Sequence, residues 1–309
     1  MPSSIPGAKI VNHAVGEDAL IRITFSLVIV LVAISNAFAG DGSRRFGNSD
    51  IKGDYGLLAQ ATSVVSGTQI AFPAVFVGRV SSDGKGNLRG MGTINPGGPI
   101  SGLTAGQLVA LNGTYEVDDD GTGEYTGSAT PPSPSTASNS SDPPSVLGSG
   151  ALVIASSNNE IQLVSTQTNR VLYITLKKQQ PPSGGFSNRT LRGTWGFVCH
   201  GTLVASTGNP PVESAVAVIG LMTNDGKRNF SAEVTANTNG VVTQENFTGT
   251  NSVSSDGIIS ATATSAHPLF ANMRGIIDND HEFRVITTDP GTVVSCAFTA
   301  QGRSDDSQD

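Results

Sequence analysis

The chain has 309 residues, room for two ordinary domains, and only 14% of them are charged. Apolar residues make up 37% and glycine contributes 37 positions, which excludes a disordered chain and favours short strands joined by turns. A net charge of −7 without any basic cluster argues against nucleic acid as a partner class.

The first element in chain order is a targeting segment. Arg22, an apolar run over 23–39 and the small-x-small sequence Ala37-Phe38-Ala39 make residues 1–39 a signal peptide cleaved after Ala39. An uncleaved membrane anchor is the alternative, but the run is short for a span and Ser35 and Asn36 interrupt it. Glu17 and Asp18 are out of place in a signal, and a start downstream of Met1 would remove them. No second long apolar stretch follows. The expected mature chain is therefore secreted, extracellular or periplasmic, with no stable membrane span.

Two copies of one pattern follow, at 48–179 and 188–303. Gly53-Asp54-Tyr55 matches Gly193-Thr194-Trp195. Next come SSDGKGN at 81–87 and TNDGKRN at 223–229, whose Asp-Gly pairs suit tight hairpins. A Gly-Thr followed by an Asp-Gly then recurs from Gly113 to Asp120 and from Gly249 to Asp256. Last, Glu160 aligns with Glu282 and Leu176 with Phe298. Landmarks in one order indicate a duplication. The first copy carries an extra Pro- and Ser-rich loop at 130–145, and a Pro- and Gly-rich linker at 180–187 separates the copies. Independent folding of the halves is expected unless they share a large apolar interface.

Within each copy apolar residues alternate. Trp195, Phe197 and Cys199 share one strand face, as do Val294, Cys296, Phe298 and Ala300. Val75, Val77 and residues 215–221 fit strands too. The expected class is all-β, with roughly seven or eight antiparallel strands per copy in a barrel or sandwich.

Gly193-Thr194-Trp195 near the start of a small β domain resembles the G-x-W of lipocalins and related calycins. The resemblance implies two tandem antiparallel up-and-down β-barrels that hold a small apolar ligand. It also implies a Trp at the closed end, crossed by a basic residue from the last strand. Arg303 would serve Trp195, and Lys177 or Lys178 would serve Tyr55. The family's central T-D-Y motif is absent from both copies. The wider pattern is similar to repeats in uncharacterised secreted bacterial proteins with lipocalin-like barrels, and allene-oxide-cyclase-like barrels are a topological rival. In an up-and-down barrel the first and last strands are neighbours, so Cys199 and Cys296 would form a disulfide across that seam. Two buried free thiols are the alternative. The first copy has Ala59 and Ile174 at the matching positions and closes without a bond.

Signals for chemistry are few. His13, His200, His267 and His281 show no metal-ligand spacing, and His200 alternates away from Trp195. No nucleophile elbow occurs. The glycines at 83–90 lack the ending of a phosphate loop and read as a hairpin, while 118–124 has consecutive rather than alternating carboxylates for calcium. Glu160 and Glu282 read as exposed carboxylates at turns rather than an acid/base pair. No catalytic residue, metal or cofactor is assigned. Tyr55, Trp195 and Phe197 either line a ligand cavity or fill a core. Three functions remain: a binder of a small apolar ligand, a surface or extracellular module with solid barrels, or a barrel isomerase or cyclase. Interior volume separates the first two.

Overall fold

A computed structural model describes residues 45–64, 71–98, 103–131, 147–155, 159–168, 170–205, 212–264 and 268–302. The expected signal peptide at 1–39, His13, His267, Arg303 and all but the first residue or two of the 130–145 loop lie outside the described residues. The first eight strands are β1 (Lys52–Val64), β2 (Ala71–Asp83), β3 (Asn87–Pro96), β4 (Gln107–Val117), β5 (Thr122–Thr130), β6 (Gly148–Ala155), β7 (Glu160–Ser165) and β8 (Arg170–Lys178). Eight more follow: β9 (Gly193–Ala205), β10 (Val212–Asn224), β11 (Asn229–Thr238), β12 (Val241–Val253), β13 (Ile258–Ala263), β14 (Asn272–Ile277), β15 (Glu282–Thr287) and β16 (Thr292–Ala300). Each set closes into an antiparallel up-and-down barrel, with β1 paired to β8 and β9 paired to β16. This architecture fits the lipocalin-like expectation.

The matched motifs do matched work. Gly84 and Gly226 both turn at φ 72°, a conformation that favours glycine. Asp83 accepts from the amides of Lys85 (2.7 Å) and Asn87 (3.1 Å); Asp225 accepts from Lys227 (2.7 Å) and Asn229 (3.0 Å). These amides hold the Asp225 carboxyl down at about 2. A second matched device escaped the sequence reading. Asn48 and Asn188, in short 3-10 turns before each barrel, accept from the amides of Val117 (2.9 Å) and Val253 (2.8 Å). Those turns lodge Ile51 and Leu191, 2% and 1% exposed, in one end of each barrel. The recurrence of Asn five residues before the strand-opening glycine was the available signal.

The two barrels pack against each other. Leu58, Val75 and Val77, on the outer face of β1 and β2, meet Ile258, Ile276, Ile286 and Val293 on the outer face of β13–β16. Covering that face removes the alternation: five consecutive residues of β15, Phe283 to Thr287, are buried. Polar groups latch the contact. Arg284, 3% exposed at its side chain, binds both oxygens of Asp278, 1% exposed, at 2.7 Å. It also donates to the Gly56 carbonyl (3.0 Å) and the Thr175 carbonyl (3.1 Å) of the first barrel. A Cβ at Gly56 would collide with the Asp278 carboxylate. Asn95 donates to the Thr287 carbonyl (2.8 Å), and Gln179 to the Ile277 carbonyl (2.8 Å).

Separate folding of the halves was expected only without a large shared apolar face, and this face bears on that condition. The segment 180–187 is not a free spacer: Phe186 is 5% exposed within the second core, and the Gln180 amide donates to the Asp278 carbonyl at 2.8 Å.

Candidate functional site

A closed barrel offers its interior as a ligand site. Tyr55 is fully buried, with Trp195 at 1% and Phe197 at 4% exposure. Tyr55 lies within the first core; Trp195 and Phe197 lie within the second. Phe197 stacks on Phe298 at 4.6 Å, Phe298 stacks on Phe283 at 4.3 Å, and Phe283 meets the Trp195 ring edge-on at 4.8 Å. The Trp195 indole N–H donates to the Leu191 carbonyl at 2.8 Å. The ring is thus held by the plugging turn and by Phe283. Lys177, one of the two lysines considered for the Tyr55 ring, pairs with Glu282 of the second barrel.

Little space remains around these rings. The residual void in the second barrel is about 30 Å³, bordered by Phe197, Phe247 and Phe283. In the first it is about 40 Å³, bordered by Leu57, Tyr125 and Leu163. Such voids are water-sized, whereas small-molecule sites run to roughly 300–1,000 Å³. The hydroxyls of Tyr55 and Tyr125 find no hydrogen-bond partner in these cores, and burial pushes both phenols up to about 12.

The sulfurs of Cys199 and Cys296 are 2.01 Å apart, at bonding distance, and the residues are direct partners across the β9–β16 seam. Ala59 and Ile174 are the corresponding partners across β1–β8. His200 is exposed on the outer face and lies 2.7 Å from the Gln60 amide of the first barrel. Glu160 and Glu282 are half-buried rather than exposed. Among the described residues, no group of three or more His, Cys, Asp or Glu is placed to hold a metal ion. No helix of the described residues is long and apolar enough to cross a membrane.

The outer surface offers more than the interior. An open groove of about 910 Å³ runs over β9, β10, β11, β12 and β16 of the second barrel. Its floor holds Val198 (56% exposed), Ile219 (61%) and Leu221 (51%). On the first barrel Val164 (47%), Val171 (72%) and Tyr173 (40%) are exposed on β7 and β8. These outward apolar residues cluster on neighbouring strands of each barrel. Strand alternation alone did not reveal them, because it sorts residues by face and does not say whether the outer face is covered.

No protein-family model matches the chain, and no curated protein matches it. Among solved structures, the chain is similar to a protein of unknown function from the DUF3598 family of Nostoc punctiforme. That match has 11% identity and a TM-score of 0.21, over 81% of this chain and 95% of the other.

Proposed function

We propose that this chain is an exported, non-enzymatic module whose two filled barrels act as rigid bodies and whose outer faces contact a macromolecular partner. The filled interiors carry the reading: voids of about 30 and 40 Å³ cannot admit a small apolar ligand without repacking the cores. The bonding-distance cysteine pair supports an oxidising compartment, in line with the leader read from the sequence. Among the described residues, no Asp, Glu, His, Lys or Arg borders either void; Tyr125 is the one titratable side chain at the first, and burial keeps its phenol neutral, which leaves an isomerase without an acid/base pair. The test is native mass spectrometry of the purified chain, together with titration of its single tryptophan's emission by a long-chain fatty acid. Mass of the bare polypeptide and unchanged emission are expected. A co-purifying small molecule, or saturable quenching of Trp195, would refute the filled-barrel reading.

A further inference from the structure

The contact between the barrels is heterologous: the β1–β2 face of the first barrel meets the β13–β16 face of the second. Because the barrels are copies, each also carries the other half of that contact, and both of those halves are exposed. The registers fix the correspondence. Leu58 pairs with Val77 across β1–β2, and Val198 pairs with Ile219 across β9–β10. The docked pair Leu58 and Val77 therefore corresponds to Val198 and Ile219, which line the open groove.

The amide part of the polar latch corresponds as well. The backbone amides of Gln179 and Gln301 bond the carbonyls of Asp54 and Thr194, both at 2.8 Å, so these glutamines are equivalent. Gln179 fastens the first barrel to the second, and Gln301 borders the free groove. Counted along β3 and β11 from their matched first residues, Asn95 corresponds to Asn237, an exposed asparagine.

The complementary half is free on the first barrel. Val164 pairs with Tyr173, as Ile286 pairs with Ser295. Val164 and Val171 thus occupy the positions of Ile286 and Val293, which are 0% and 2% exposed inside the chain; here they are 47% and 72% exposed. Gln162 stands in the place of Arg284 and keeps a side-chain N–H donor there.

We propose that a second copy of this chain covers these faces: the β9–β10 groove of one copy docks on the β7–β8 face of the next, repeating the contact already made within the chain. The inference rests on the reading of the barrels as filled modules that work through their outer faces. A heterologous contact propagates, giving a ring if its rotation closes and a filament if it does not. The copied contact keeps the apolar core and the amide donors and lacks the Lys177–Glu282 ion pair, whose counterparts are Thr299 and Glu160.

Sedimentation velocity on the full chain, purified as the cell delivers it, tests the proposal. Two outward substitutions, Ile219→Glu and Val171→Glu, each block one face, and thermal unfolding verifies that both variants fold. The wild-type chain assembles beyond the monomer as concentration rises. Each variant alone is monomeric. Their equimolar mixture forms a heterodimer and nothing larger, since one intact face of each remains. A wild-type chain that stays monomeric, a single variant that still assembles, or a mixture that stays monomeric overturns the proposal. Association through the apolar leader would survive both substitutions and falls under the second of these results. A small molecule carried inside a barrel would appear in the native mass spectrum and leave sedimentation unchanged, so failure of the filled-barrel reading is seen separately.

Discussion

Replacing Arg284 by methionine tests what holds the two barrels together. The guanidinium and the Asp278 carboxylate are almost fully buried and bound at two 2.7 Å contacts, and the same guanidinium bonds two carbonyls of the first barrel. Removing one partner of a buried pair leaves the other charge uncompensated, at a cost of about 3–5 kcal/mol. For a body of this size each kcal/mol shifts the melting temperature by roughly 2–4 °C, so a fall of about 6–20 °C is expected. The loss also depends on pH. Burial already pushes the Asp278 carboxyl up, opposed chiefly by Arg284. In Arg284→Met only the upward push of burial remains strong, so the folded value lies above the unfolded value of about 3.9. A raised carboxyl favours folding below its unfolded value, and that advantage is lost as pH rises through the folded value. The variant's deficit should therefore be larger near pH 8 than near pH 4. Adding Asp278→Leu removes the stranded charge and should recover most of the stability. Urea unfolding of the four proteins of this cycle at both pH values gives the answer. A single variant within about 1 kcal/mol of wild type at pH 8, or a deficit indifferent to pH, would refute the reasoning.

Reducing the Cys199–Cys296 pair opens a loop with a sequence separation of 97, which the chain-entropy model values at roughly 4 to 5 kcal/mol. Because the barrels share a buried face, one cooperative transition should move down as a whole; two free thiols in the denatured, unreduced chain would show that no bond exists. At alkaline pH the core of the first barrel should lose stability, and the single transition should move down with it. The stability gained by keeping Tyr55 and Tyr125 neutral is complete below about pH 10 and is lost as pH rises toward about 12, their folded value. Tyrosinate absorbance should rise together with loss of strand circular dichroism, and full ionisation with the strands intact would contradict the buried placement.

Much of the architecture was legible in the chain because it is local. Asp83-Gly84 and Asp225-Gly226 specify turns, and period-two alternation specifies which of Trp195, Phe197 and Cys199 face inward, so one copy explains the other. The pairing of Cys199 with Cys296 needed the further step of barrel closure, supplied by the resemblance of Gly193-Thr194-Trp195 to a known barrel family. Whether Tyr55, Trp195 and Phe197 line a cavity or fill a core was open, since the same inward residues serve both; only the packed volumes of eight strands decide it. The tertiary structure alone placed Arg284 on Gly56 and Thr175, because that contact joins residues more than a hundred positions apart through outer faces that alternation treats as solvent. It alone showed that Val77 is covered while its counterpart Ile219 is bare. Two copies of one sequence pattern carry the same faces, but a chain with two ends can satisfy only one contact between them, and which faces remain free is a property of the docked pair.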